Sequence, residues 1–320
     1  IQRDNNLRAL ETIATTNPCG EQPLPPYGCC DLGPLILPRF VRHPFGLAGD
    51  ATFDFDAFEA SVALQVRALD NVLDLTRWPL PQQREEAMGK RRIGVGLTGL
   101  GNALTMLCLR YDSDAGRAMA ARIAQTMRDA AYRASVSLAI EKGAFPQFST
   151  HTYFSAGNFA SRLPEALQRA IRAHGIRNSH LLSIAPAGSV SLAFADNASN
   201  GIEPSFAWQY LRKKRAADGS QTTHTVEDYA WRLFRSLGGN VRTLPSYFVS
   251  ALDMTPASHI AMMQTMQPFV DAAISKTVNV PENCTYEVFE GLFLQAWQSK
   301  LKGFATYRPN HIVGSVLQVT

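Results

Sequence analysis

With 320 residues, 46% of them hydrophobic, the chain can bury a core as one large domain or two smaller ones. A charged fraction of 18% argues against long disordered tails, and a net charge of +4 is too mild to make nucleic acid the expected partner. No run approaches the ~20 consecutive apolar residues of a membrane helix and no leader pattern is visible, so no membrane partner and a reducing cytoplasm are expected.

Five cysteines (Cys19, Cys29, Cys30, Cys108 and Cys284) are too few and too uneven for a secreted disulfide framework. No CxxC pair or cysteine–histidine cluster has zinc-ligand spacing, so no metal site is expected. The first ten residues read as a helix interior, which suggests a piece of a longer polypeptide.

Asn17-Pro18-Cys19-Gly20-Glu21 then sets a thiol between an amide and a carboxylate at two-residue spacing. In extended backbone the side chains of Asn17, Cys19 and Glu21 would share one face. Pro18 opposes helix, and Gly20 lets a ligand or another backbone come close. A stiff run, Gln22–Gly28, leads to the thiols Cys29 and Cys30. Amide, thiol, carboxylate and a nearby thiol reserve suggest redox or radical chemistry on a hydroxylated substrate. No local histidine marks a papain-like partner for Cys19.

Residues 54–76 carry Val62, Val66, Leu69 and Leu73 at helical steps, and Pro79 and Pro81 follow as stops. The literal Gly94-x-Gly96-x-x-Gly99 invites a dinucleotide reading, with Asp114 twenty residues on. Lys90-Arg91-Arg92 precedes it where a buried strand is required, so small residues allowing close helix packing are the better reading. Cys108 lies in an apolar run and reads as an inert thiol. A long helix is expected from about Ala115 to Lys142, stopped by Gly143.

Leu181–Ala185 suits a buried strand, and Ser183-Ile-Ala-Pro-Ala-Gly-Ser-Val-Ser191 carries it into a hydroxyl-rich loop. If a helix follows, its free N–H groups make an anion site, with Ser189 and Ser191 as added donors. A serine-rich turn without a ligand is equally open. Asn200–Pro204 reads as a turn, and Leu211–Thr223 as a mobile surface loop whose Lys213-Lys214-Arg215 is solvated. Thr255-Pro256 starts a helix expected to reach about Ile274. Thr285 caps another, ended by Gly303, with strands at Thr277–Val280 and Phe304–Tyr307. Helices alternating with short buried strands point to an α/β architecture.

Six blocks in order resemble the adenosylcobalamin-dependent (class II) ribonucleotide reductases: Asn17–Gly28, Arg91–Leu100, Ser183–Pro186, Gly201–Pro204, Ile274–Pro281 and Ala305–Asn310. The resemblance implies that residues 1–320 are the C-terminal part of a ten-stranded α/β barrel. A central finger loop, at about 15–31, would carry the radical cysteine, and a phosphate loop would lie at about 185–191. It implies Cys19 as the radical cysteine, Glu21 as general base and Asn17 as the group orienting the substrate. Pro18 and Gly20 would line the same site, and Pro186, Ala187, Gly188, Ser189 and Val190 would hold the substrate phosphates. Cys30 would be the second redox cysteine and Cys29 a bystander.

The implied cofactor is adenosylcobalamin. The implied partners are a ribonucleotide, most simply a diphosphate, a thioredoxin-type reductant, the missing N-terminal part of the barrel and a second copy in a homodimer. The first redox cysteine and the C-terminal cysteine pair of the family would lie outside this chain. Ala187 and Ser189 stand where threonines are usual. Two alternatives stay open: the same barrel with another radical initiator, or an inactive nucleotide-binding fragment or paralogue.

Overall fold

The structure, a computed structural model, describes residues 1–29, 31–215, 219–308 and 317–319. Its centre is a row of five parallel strands paired in chain order. Leu32–Ile36 pairs with Gly94–Thr98, from Leu32 opposite Gly94 to Ile36 opposite Thr98. The next neighbour is the 181–184 segment, joined by the Val95–Leu182 bridge and by the Val95 N–H on the Leu181 carbonyl at 2.7 Å. That segment pairs with Ile274 through Ile184, and Thr277–Asn279 pairs with Ala305–Tyr307. Among the described residues no pairing joins the first strand to the fifth, so the sheet is open.

Parallel strands need crossovers of a dozen or more residues, and helices supply them here. Phe55–Leu75 begins where the Asp54 side chain accepts the Ala57 N–H at 3.0 Å. Asp114–Lys142 begins in the same way at Ser113 and stops at Gly143, whose φ is 87°. These two helices pack on each other, Asp114–Lys142 packs on Pro256–Met266, and that helix packs on Tyr286–Gln298. Val62, Val66, Leu69, Ile123 and Met127 on the first two join the strand residues Val95, Leu97, Leu182 and Ile184 in one buried core. Burial of such side chains contributes roughly 1.5–3 kcal/mol each.

Four expectations are corrected. Residues 2–10 form turns, not a helix: the Asp4, Arg8 and Leu10 N–H groups close short turns on the carbonyls of Ile1, Asn5 and Leu7, and side chains tie the segment down. Asn5 Oδ1 accepts the Leu7 N–H, while Gln2 bonds the Glu11 carbonyl and the Ile13 N–H. The Pro256–Met266 helix stops eight residues before Ile274, since Pro268 lacks an N–H and Ala272 N–H is drawn onto the Leu182 carbonyl at 3.1 Å. The expected loop at 211–223 is largely an antiparallel hairpin, Gln209–Arg215 with Gln221–Glu227, whose second strand is rich in β-branched Thr222, Thr223, Thr225 and Val226.

The fourth concerns the glycine motif. Gly94 and Gly96 lie inside a strand, so close helix packing does not account for them. A Cβ on Gly94 would stand 2.5 Å from Gln22 Nε2, and one on Gly96 would stand 2.4 Å from the Ser183 main-chain oxygen. The glycines let the Gln22 side chain and the neighbouring strand come close. Gly96→Ala presses on backbone that cannot rotate away, and is expected to cost about 1–3 kcal/mol by overpacking. Denaturant unfolding checks this, and a wild-type midpoint would contradict it.

Candidate active site

The pentapeptide forms the tip of a hairpin in which Thr15–Thr16 pairs with Pro23–Leu24. Its closure is a tight turn: Asn17 N–H donates to the Gln22 carbonyl at 3.1 Å and Gly20 N–H to the Asn17 carbonyl at 3.0 Å. Gly20 has φ 83°, a left-handed value that glycine adopts without a Cβ penalty. The extended alternation expected from the sequence is therefore replaced by a turn. Asn17 and Glu21 still meet, through Asn17 Nδ2 donating to Glu21 Oε1 at 2.7 Å. The Asn17 amide oxygen accepts the Gly20 and Gln22 N–H groups at 3.1 and 3.0 Å. One carboxamide thus shapes the turn and holds the carboxylate.

Burial divides the tip. Pro18 and Cys19 are exposed, whereas Glu21 is 1% exposed and its Oε2 has no hydrogen-bond partner among the described residues. A buried carboxylate oxygen without a partner costs free energy that a ligand hydroxyl would offset. The tip is fixed to the sheet at the Glu21 carbonyl, which accepts the Ala273 N–H at 2.9 Å and the Ser183 hydroxyl at 3.1 Å. Gln22 is fully buried and neither end of its amide has a partner among the described residues.

Beyond Ser183 the third strand runs out into residues 186–190, roughly 10 Å further at strand rise. Ala187 takes a left-handed conformation (φ 54°) and the helix Gly188–Phe194 begins after it. Its first N–H groups have no preceding helical carbonyls to bond. Ser189 is exposed, and Pro186, Ala187, Gly188 and Val190 are half-buried. Ser191, expected as a second donor, instead turns its hydroxyl onto the Ala198 carbonyl. Glu203 is more than a turn residue: it pairs with the buried Lys276 and accepts the Thr277 N–H at 2.8 Å.

Cys30 lies outside the described residues. Burial pushes the Cys29 thiol up to about 11, with Asp31 and Glu86 adding to the shift and Arg92 opposing it. Burial, helped by the charge of Asp70, raises the Asp31 carboxyl to about 6. Among the described residues no group of three or more His, Cys, Asp or Glu side chains could hold a metal, and no helix is long and apolar enough to cross a membrane. No local signal marks the roles of Ser183, Ala273 and Lys276, since each depends on contacts between strands distant in the chain.

The ribonucleotide reductase barrel-domain family model matches residues 1–307, and the chain belongs to that family. A vitamin B12-dependent ribonucleoside-diphosphate reductase of Mycobacterium tuberculosis is 33% identical, covering 99% of this chain and 44% of that protein. The Thermoplasma acidophilum protein of the same name is 28% identical, with 96% and 39% covered. A ribonucleoside-diphosphate reductase large chain of Encephalitozoon cuniculi is 27% identical, with 99% and 44% covered. The chain thus spans less than half the length of these relatives.

The exposed Cys19 and the half-buried Cys29, whose thiol is pushed up to about 11, are expected to differ in reactivity. Limited iodoacetamide treatment at pH 8, followed by peptide mass spectrometry, is expected to label Cys19 well before Cys29, of which only about 0.1% would be thiolate. Equal labelling would contradict this.

Proposed function

We propose that the chain is the C-terminal part of the catalytic barrel of an adenosylcobalamin-dependent ribonucleoside-diphosphate reductase, which converts ribonucleotides to 2′-deoxyribonucleotides. The observation that carries the reading is the hairpin tip: an exposed thiol at Cys19 beside the Glu21 carboxylate, one of whose oxygens is held by Asn17 while the other has no partner. Family membership and the names of the relatives support the substrate class and the cofactor. In this reading the five parallel strands are one half of a ten-stranded barrel and the hairpin is its finger loop.

The exposed Cys19 thiol fits a cofactor that must reach sulfur from outside the hairpin. Adenosylcobalamin, when bound, supplies the radical equivalent that turns this thiol into a thiyl. The Cys19 sulfur then takes the hydrogen from C3′ of the substrate. Glu21 accepts the 3′-hydroxyl proton on its unpartnered oxygen, as a general base within hydrogen-bond reach can. Asn17 holds the carboxylate by its other oxygen and orients the sugar, with Pro18 and Gly20 lining the site. The 2′-hydroxyl takes a proton from one thiol of the redox pair and leaves as water, and the hydrogen of the other thiol goes to C2′. Cys30 and a cysteine from the rest of the polypeptide supply two electrons by forming a disulfide, and Cys19 returns its hydrogen to C3′. A thioredoxin-type dithiol reduces the disulfide by exchange.

Ala187, Gly188, Ser189 and Val190 hold the substrate phosphates through main-chain N–H groups and the Ser189 hydroxyl, and Pro186, which has no N–H, lines the same loop. Cys29, whose thiol stays protonated, is a bystander. The remaining partners are the other part of the barrel and a second copy of the protein, and the setting is a reducing cytoplasm.

In the complete reductase, Cys19→Ala is expected to abolish deoxynucleotide formation while equilibrium dialysis shows nucleotide binding within about 3-fold of wild type. Retained turnover would sink the radical assignment. Glu21→Gln keeps the side chain's shape and the Asn17 contact but removes the base, so kcat is expected to fall about 10²–10⁴-fold. A fall under about 3-fold in steady-state assays would remove Glu21 from proton transfer.

A further inference from the structure

The hairpin tip is internally rigid, because the Asn17 carboxamide ties Gly20, Glu21 and Gln22 together. Its position relative to the sheet is a separate matter, and the Glu21 carbonyl is where two sheet strands reach it. Ala273 N–H approaches from the start of the fourth strand and the Ser183 hydroxyl from the third. Ser183 is well suited to set a position. It is 1% exposed, and its own N–H is held on the Val95 carbonyl at 3.0 Å. Its carbonyl lies against the second strand, where a Cβ on Gly96 would come within 2.4 Å. Its side chain therefore projects from a backbone that cannot shift. Ser183 is also three residues before the loop at 186–190, so one rigid strand carries both the hydroxyl that fixes the hairpin and the start of that loop.

We propose that Ser183 is a positioning residue for Glu21. Acting through the Glu21 main-chain carbonyl, its hydroxyl sets the height of the hairpin tip over the sheet, and so the distance from the free Glu21 oxygen and the Cys19 sulfur to a sugar held by the 186–190 loop. The inference rests on the reading of Glu21 as proton acceptor. Ser183 touches neither substrate nor reacting atoms in this scheme. Removing its hydroxyl leaves the carbonyl held by Ala273 alone, from one side, and lets the tip swing. A displacement of about 1 Å at a reacting group can lower a rate by as much as about 10²-fold.

The test compares Ser183→Ala with Ser183→Thr, which keeps the hydroxyl and has strand propensity, in the complete reductase. Ser183→Ala is expected to lower kcat at least about 10-fold with KM within about 2-fold, and Ser183→Thr to recover to within about 3-fold of wild type. A second arm needs no turnover: hydrogen exchange in the peptide spanning residues 15–24 should quicken in Ser183→Ala, not in Ser183→Thr, with the thermal midpoint unchanged. Wild-type protein that does not reduce ribonucleotides would overturn the functional reading, and the exchange arm would still decide whether Ser183 fixes the hairpin. Wild-type exchange and kcat in Ser183→Ala would overturn the proposal. So would a Ser183→Ala protein that loses cooperative unfolding, or a loss of kcat that Ser183→Thr does not restore, because either makes Ser183 a residue of the general fold.

Discussion

Parallel pairing in chain order is the constraint on which the rest of the structure depends. Each return to the sheet needs a crossover, and the helices of successive crossovers pack side by side: Phe55–Leu75 on Asp114–Lys142, that helix on Pro256–Met266, and that one on Tyr286–Gln298. The face bearing Val95, Leu97, Leu182 and Ile184 is thereby buried. Ser183 and the glycines Gly94 and Gly96 alternate with those residues, and there the hairpin tip and the neighbouring strand come close. A strand with a large side chain at each of these positions could not accept the hairpin.

Buried charge is gathered near the starts of the strands. Asp271 accepts the N–H groups of Leu181 and Leu182 at 2.8 Å each and the Tyr132 hydroxyl at 2.8 Å, aligning the third strand with the entry to the fourth. Burial raises its carboxyl even so. Glu11 is clamped by Lys90 and Arg92 just ahead of the second strand. Burial alone would raise the Glu11 carboxyl, but the two cations outweigh it and hold it below the ordinary carboxylate value. These groups are satisfied within the protein. Glu21 Oε2 and the Gln22 amide have no partner among the described residues, and they belong to the hairpin that carries Cys19.

Much of the fold is legible because its signals are local. Asp54, Ser113, Thr255 and Thr285 each cap the helix that follows, and a side-chain oxygen three residues from the N–H it accepts is a property of adjacent residues. The strands at 181–184, Thr277–Asn279 and Ala305–Tyr307 follow from short apolar runs between helices. The errors came where distant groups compete for the backbone. Ala272 gives its N–H to Leu182 and not to another turn of helix, and Gln2 reaches across to the Glu11 carbonyl and the Ile13 N–H, closing the first residues into turns.

The candidate site divides along the same line. By itself the sequence determined which chemical groups are present, an amide, a thiol and a carboxylate within five residues, and placed a glycine where the turn needs a positive φ. Only the tertiary structure decided that Cys19 is exposed while Glu21 is buried two residues away, and that the Glu21 carbonyl rests on Ser183 and Ala273. The reason is physical. Residue type fixes what a group can do, whereas burial and hydrogen-bond partners depend on strands more than 150 positions further along the chain.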